Sequence, residues 1–484
     1  MKEKNSNKVI GGLAWTFGER ICAQMVSTLV AIILARVLDP EHYGIISIVT
    51  VFVTLLNVFV SGGLGSALVQ KKDADELDFN TAFLVSLFMA VTLYTCLFLC
   101  APYIANFYEM PLLAPVIRVM GVRLIIASIN NIQQAYIRRR MEFKKFFWAT
   151  FIGTVISGVF GVVFAYIGFG VWALVVQYLI NVGIDTLMLF RIGTWKPRVQ
   201  FSLERAKRIW SFGWKVLATE LVYTLEGDIR SLIVGKVFGS ADLAYYDQGR
   251  KYPALLVTNI NSSIEKVMLP AFSKQQDNLD ILLSALRKAI RIGLFLLAPI
   301  LVGFAVVSES FVSLILTDKW LFCVPYMQIF CIAYLARPLG SSCHQALLAV
   351  GKSGTVLICM LAVNTFSVVS IFISVFILKS VLWLAVFSLA TETISFLVFL
   401  GFTNKYIGYK VRYQLVDVLP SLLISVFMGC IVWLFKLIPV SGLLLLISQI
   451  IFGAVIYILL NAIFKVDAFV FFRNFLKNFI NNRK

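Results

Sequence analysis

Val356-Leu-Ile-Cys-Met-Leu-Ala-Val-Asn-Thr-Phe-Ser-Val-Val-Ser-Ile-Phe-Ile-Ser-Val-Phe-Ile-Leu378 carries no charge from end to end. Leu443 to Phe464 forms a second uncharged run of similar length. An α-helix rises about 1.5 Å per residue, so roughly 20 apolar residues cross the hydrocarbon core of a bilayer. The runs are continuous, whereas barrel strands alternate and are about 10 residues long. Outward from these two runs the whole chain has the same character: 60% hydrophobic and 14% charged. Soluble domains are about 25% charged. The composition therefore excludes a soluble enzyme and predicts an all-α integral membrane protein.

The pattern predicts about fourteen spans, near 9–37, 42–70, 80–106, 112–137, 146–167, 170–192, 209–238, 242–270, 282–306, 321–349, 355–378, 380–402, 415–436 and 440–464. The first, seventh and eighth carry charges and depart furthest from a plain apolar helix. Met1 to Lys8 is basic and no small-residue cleavage site follows, so the first span reads as uncleaved. With both termini in the cytoplasm, most of the 43 lysines and arginines fall on the cytoplasmic face. The opposite face keeps only Arg36, Arg118, Lys236, Lys319, Lys379 and Lys436. Cytoplasmic loops retain Lys and Arg, which accounts for the net charge of +18 without nucleic acid. Outer loops are short; Gly168-Phe-Gly170 is little more than a turn, leaving no outer domain to house an active site.

Ile32-Ile-Leu-Ala-Arg-Val-Leu38 resembles Leu232-Ile-Val-Gly-Lys-Val-Phe238, and Gln134-Ala135 matches Gln345-Ala346. Repeats of six spans share one orientation, which is a parallel repeat about an axis along the membrane normal. This predicts an N-terminal lobe over 1–193, a basic linker over 194–208, a second lobe over 209–402, and two extra helices with a tail over 403–484.

Charges inside spans are costly and face water or a partner. The first span holds Glu19 and Arg20, the fourth Arg123 and the sixth Asp185. The seventh holds Lys215, Glu220, Glu226, Asp228 and Arg230; the eighth holds Asp247, Arg250, Lys251, Glu265 and Lys266. Arg337 and Glu392 fall in the tenth and twelfth. Glu220, Thr224 and Asp228 share one helix face, and Glu226 pairs with Arg230 at i, i+4. Each such residue is open to a structural reading, as an ion pair or a side chain reaching the interface. Together they outline a polar cavity. Arginine forks bind phosphate oxygens bidentately, so Arg20, Arg123, Arg230, Arg250, Lys251 and Arg337 are candidate cavity cations. Glu19, Glu220, Asp228 and Asp247 are candidate charge-balancing acids, or carriers of a coupling proton or sodium ion. Tyr223, Tyr245 and Tyr246 are candidate sugar contacts, with interfacial anchoring as the alternative.

No Walker phosphate loop, Ser/His/Asp set or paired-His site is present. Cys96 and Cys100 are one turn apart but lack further ligands, and His42 and His344 are far apart, so no metal or cofactor is expected. The eight cysteines read as small buried hydrophobes.

Trp15-Thr-Phe-Gly-Glu-Arg20, Leu34-Ala-Arg-Val-Leu-Asp-Pro40, Tyr43-Gly44 and Gly62-Gly-Leu-Gly-Ser-Ala67 follow in order. Tyr245-Tyr246, Arg250 and Val267-Met-Leu-Pro-Ala-Phe-Ser273 come later. This ordered set resembles the Wzx-type polysaccharide flippases of the multidrug/oligosaccharidyl-lipid/polysaccharide exporter superfamily. The resemblance is strongest over the first 145 residues and over 209–275. It implies a MATE-like fold of two six-helix lobes around a central cavity, with two extra helices. It also implies a transporter in the bacterial inner membrane rather than an enzyme. The implied substrate is an undecaprenyl-diphosphate-linked oligosaccharide, moved to the periplasmic leaflet with ion coupling. Arg20 and Arg250 carry over as its cavity cations; Met268 stands where the motif has an aromatic residue. A drug/cation antiporter of the same superfamily is the alternative, although its cavity should be acidic and apolar. A polysaccharide polymerase or ligase is disfavoured by the short outer loops.

Overall fold

The computed structural model describes residues 22–71, 73–140, 142–193, 195–435, 442–471 and 473; the side chains of 143–146, 223, 226, 259, 262–267, 269 and 270 lie outside that description. Among the described residues all regular secondary structure is helical, without strands. Helix α1 covers Cys22–Val37. It is followed by α2 (Pro40–Ser61), α3 (Leu64–Gln70), α4 (Glu76–Tyr108), α5 (Leu113–Arg140), α6 (Phe143–Tyr166) and α7 (Val171–Ile192). Then come α8 (Leu203–Val237), α9 (Ser240–Ser273), α10 (Leu279–Phe311), α11 (Val324–Tyr334) and α12 (Arg337–Ala349). The chain closes with α13 (Ser353–Phe372), α14 (Val381–Ile407), α15 (Val411–Leu434) and α16 (Leu443–Ile463).

Local chemistry sets the helix ends. Pro40 opens α2, where its missing N–H costs nothing. Asp75 and Asp78 form a reciprocal capping box at the start of α4. Asn278 caps α10 by accepting from the Ile281 N–H at 3.2 Å. Gly408, left-handed at φ 79°, ends α14.

Among the described residues eleven segments are long and apolar enough to cross a membrane. They match eleven of the spans predicted from sequence, with α2 and α3 forming one broken span over 40–70. The seventh and eighth predicted spans are the continuous helices α8 and α9, too charged to count by composition. The membrane inverts the usual surface: apolar side chains such as Leu357, Leu361, Val368 and Phe372 of α13 point outward, because lipid is as apolar as they are. Buried polar groups such as Asn130, Gln133, Asp417 and Asn461 lie inside.

The chain divides into two compact units, 1–244 and 245–484. In the first, Leu64, Leu68, Phe79, Ile132 and Trp195 share a core. In the second, Leu282, Leu286, Ile290, Leu339, Leu347 and Phe399 do so. The 194–208 segment, expected as a linker between lobes, is tied to the first unit. Trp195 is buried against Phe79, and the Arg198 N–H donates to Asn80 Oδ1 at 3.1 Å. Helix α8, assigned from sequence to the second lobe, packs within the first unit. The links after α1 and α8 are both two residues long, Leu38-Asp39 and Phe238-Gly239, where the sequence repeat also aligns.

Candidate functional site

In the first unit the site begins at a helix break. Gly62 and Gly63 take left-handed φ values of 48° and 64°, which side chains disfavour. The break also lies hard against α8: a Cβ on Gly63 would stand 2.4 Å from the Gly213 carbonyl oxygen. Beside it is a cavity of about 360 Å³ lined by Ser61, Ser66, Gln70, Asn131, Gln134, Arg138 and Glu220, among others. Asn131 Nδ2 is buried there without a hydrogen-bond partner among the described residues. From this cavity a polar chain runs inward. Arg138 donates to Gln134 Oε1 at 2.8 Å, and Gln134 donates to Asn130 Oδ1 at 2.7 Å. Asn130 Nδ2 then donates to Asp185 Oδ2 at 2.8 Å and Thr186 Oγ1 at 2.9 Å. Such a set of amides, hydroxyls, one guanidinium and one carboxylate matches the hydrogen-bonding capacity of sugar hydroxyls.

Of the predicted residues, this unit places Glu220 on the cavity wall and exposed. Arg123, half-buried on α5, has its guanidinium 5.7 Å from the centre of the Tyr178 ring. A ring face attracts the cation without neutralising it. Asp228 and Arg230 are half-buried on α8. Glu19, Arg20 and the side chains of Tyr223 and Glu226 lie outside the described residues.

The second unit gathers charges from α9, α12 and α14. Arg337 Nε and Nη2 donate to Glu392 Oε1 at 2.9 and 2.8 Å, and the guanidinium stacks 3.8 Å over the Tyr334 ring. Arg250 and Asp247 approach to 3.9 Å on α9. Arg250 is near enough to Arg337 and Tyr334 for its charge to act on both. Two arginines and two carboxylates thus form a charge-compensated cluster, every member part-exposed. Lys251 Nζ lies 5.9 Å from the Tyr252 ring. Tyr245 packs against Trp320 and Phe322. Tyr246 corrects the reading from sequence: it is fully buried between Tyr326 and Phe330 and offers no face to a sugar. Its helix position directs it into an aromatic core.

Charge also pins the helices that carry these residues. Arg205, at the start of α8, bridges Asp75 and, at 3.4 Å, Asp78, which is fully buried and also pairs with Lys71 at 2.6 Å. Arg205 holds the Asp75 carboxyl down at about 2. At the far ends of the same helices Lys236 pairs with Glu109 at 2.8 Å, lowering the Glu109 carboxyl. The Tyr108 hydroxyl donates to the Leu232 carbonyl at 3.2 Å. Helix α8 therefore runs beside α4 from end to end.

Asn130, Asn131, Gln134 and Arg138 were missed as site residues in the sequence. Three are uncharged amides inside an apolar span, invisible to a search for charges. Their one sequence signal was the Gln134-Ala135 repeat match.

Residues 33–325 match a family described as polysaccharide biosynthesis protein. Among curated relatives, lipopolysaccharide biosynthesis protein WzxC of Escherichia coli (strain K12) is 23% identical over 358 residues, covering 71% of this chain and 70% of WzxC. Among solved structures, lipid II flippase MurJ in an inward closed conformation superposes with a TM-score of 0.75 at 16% identity, over 95% of this chain and 99% of MurJ. An inward-facing MATE transporter of the MOP superfamily gives 0.62 at 15% identity, over 80% and 96%. At these identities the superpositions show a shared fold.

Proposed function

The chain belongs to the polysaccharide biosynthesis protein family, and on that footing we propose that it flips undecaprenyl-diphosphate-linked oligosaccharides across the bacterial inner membrane. Movement runs from the cytoplasmic to the periplasmic leaflet by alternating access, for surface polysaccharide synthesis. The termini are cytoplasmic, and α1, α8 and α9 complete fourteen spans, arranged as six, six and two. The end-to-end pairing of α8 with the apolar α4 supports counting α8 as a span.

The carrying observation is the Arg250–Asp247 and Arg337–Glu392 cluster within the second unit. Charge compensation makes arginines tolerable in an apolar setting when the site is empty. An arriving pyrophosphate would take over the guanidinium hydrogen bonds and displace the acids, so substrate itself changes the charge balance that drives the next step. Within the first unit, the Ser61–Asn131–Glu220 cavity would take sugar hydroxyls, and Arg123 is a further candidate for an anionic group. Asp185, wired through Asn130 to that cavity, joins Glu220, Asp228 and Asp247 as a carboxylate able to couple transport to a proton or sodium ion.

The test is complementation. Arg250→Ala combined with Arg337→Ala should cut surface polymer about tenfold or more, the loss of two charge-assisted contacts, while the protein remains in the membrane at wild-type abundance. Normal polymer in that variant would refute the assignment. Organic-cation transport by reconstituted wild-type protein, without lipid flipping, would favour the drug-antiporter reading.

A further inference from the structure

A further cavity lies away from these charges, in the C-terminal part of the second unit. It measures about 730 Å³ and runs between α15 and α16. Val416, Pro420, Leu423 and Phe427 line one wall and Leu460 and Phe464 the other. Leu423 and Phe427 are 62% and 56% exposed, so the groove opens sideways to lipid. The stretch 416–427 is about 16 Å of helix, half of the roughly 30 Å hydrocarbon core. The groove is therefore one leaflet deep.

One end of the groove is charged. Asp417, fully buried, accepts from Arg287 Nε at 2.8 Å and from Arg291 Nε at 2.6 Å. Arg291 also pairs with Asp467. Lys465 lines the same cavity, and Lys288 lines an adjoining one that shares Arg291 and Asp467. Neither lysine has a carboxylate partner among the described residues. Among the described residues lining the two cavities, four cations (Arg287, Lys288, Arg291 and Lys465) thus meet three carboxylates, Asp280, Asp417 and Asp467. One positive charge is left over, which a single phosphodiester would balance. Both helix ends bordering this charged region belong to the face that Lys and Arg mark as cytoplasmic.

We propose that this groove binds one anionic phospholipid of the cytoplasmic leaflet, with an acyl chain between α15 and α16 and its phosphate at Lys465 and Arg291. Basic pockets between membrane helices take acidic headgroups on the cytoplasmic side. The Asp417 ion pairs act as a positioning group, fixing Arg291 at the groove end. The site is independent of the flippase reading, since it uses none of the residues assigned to substrate.

The experiment places full-length protein in vesicles of phosphatidylethanolamine and phosphatidylglycerol, re-extracts it in mild detergent, and measures the retained lipids by mass spectrometry. Wild-type protein should hold phosphatidylglycerol about fivefold above its share in the vesicle. Lys465→Gln with Lys288→Gln should abolish the enrichment. Leu423→Trp, at a lipid-exposed position that tolerates bulk, should lower total retained lipid by filling the groove. No enrichment in wild type, enrichment that survives both variants, or full displacement of the phosphatidylglycerol by equimolar undecaprenyl phosphate would each overturn the proposal.

Discussion

Arg337 illustrates what a single residue does in this fold. Its planar fork reaches Glu392 through two nitrogens while its face covers Tyr334. Lysine has neither the plane nor the fork. On the proposed reading Glu392 neutralises the empty site and competes with an incoming phosphate, so its removal should have opposite effects on stability and binding. Glu392→Gln is expected to lower stability by about 1 kcal/mol, a modest value because both partners are part-exposed, yet to raise retention of pyrophosphate-linked lipid several-fold. Arg337→Lys should lose that retention. Thermal unfolding in detergent and quantitation of co-purified lipid check the pair; an E392Q variant with weakened retention would place the carboxylate among the substrate's ligands instead. The Asp75–Arg205 contact is different in kind. A carboxyl held near 2 stabilises the fold above its ordinary value near 4, and that contribution fades only as pH falls from there through about 2. The contact is thus constant across physiological pH.

Among the elements, α8 is the one whose character is least apparent from composition. It is as long as α4 and joined to it at both ends, but too charged to pass as a span by hydropathy alone. Its glycines are unequal. Gly213 lies against the Gly62-Gly63 break, with a virtual Cβ 2.6 Å from the Gly62 carbonyl oxygen, whereas among the described residues nothing lies within 4 Å of a Cβ on Gly227. Gly63→Ala should therefore destabilise by about 2 kcal/mol or more, through both left-handed backbone and overlap. Gly227→Ala should stabilise by about 0.5–1 kcal/mol, since a helix interior favours alanine. Melting temperatures of the two variants in one detergent decide the matter; equal shifts would show that the break does not depend on close approach. Gly44 belongs with Gly63, since its Cβ would fall 1.8 Å from the Ser240 carbonyl oxygen. The Tyr43-Gly44 and Gly62–Ala67 motifs thus gain a packing reason.

For the whole molecule, orientation is the quantity most directly open to measurement. The proposed orientation, argued from the Lys and Arg distribution, would put the Asp75–Arg205 end of α4 and α8 in the cytoplasm and the Glu109–Lys236 end outside. In a cysteine-free background, a cysteine at Met110 should react with an impermeant maleimide in intact spheroplasts, and one at Asp73 only after lysis. The reverse pattern would overturn the proposed topology and the proposed direction of transport.

The helical, membrane-spanning nature of the chain was legible in the sequence because it is a local property. A continuous apolar run must satisfy its own backbone hydrogen bonds, and its length against the bilayer decides whether it spans. The intramembrane charges were legible for the same reason, each being conspicuous in its own segment. Partnership was not. Arg337 meets Glu392 and Arg287 meets Asp417 across long separations in the chain, and Tyr246 is buried where its neighbour Tyr245 is only partly so. Apolar helices fit one another in many ways, and which faces meet is decided by small residues and polar contacts distributed over the whole bundle. The amide-lined cavity beside Gly63 and the groove between α15 and α16 exist only once those faces have met.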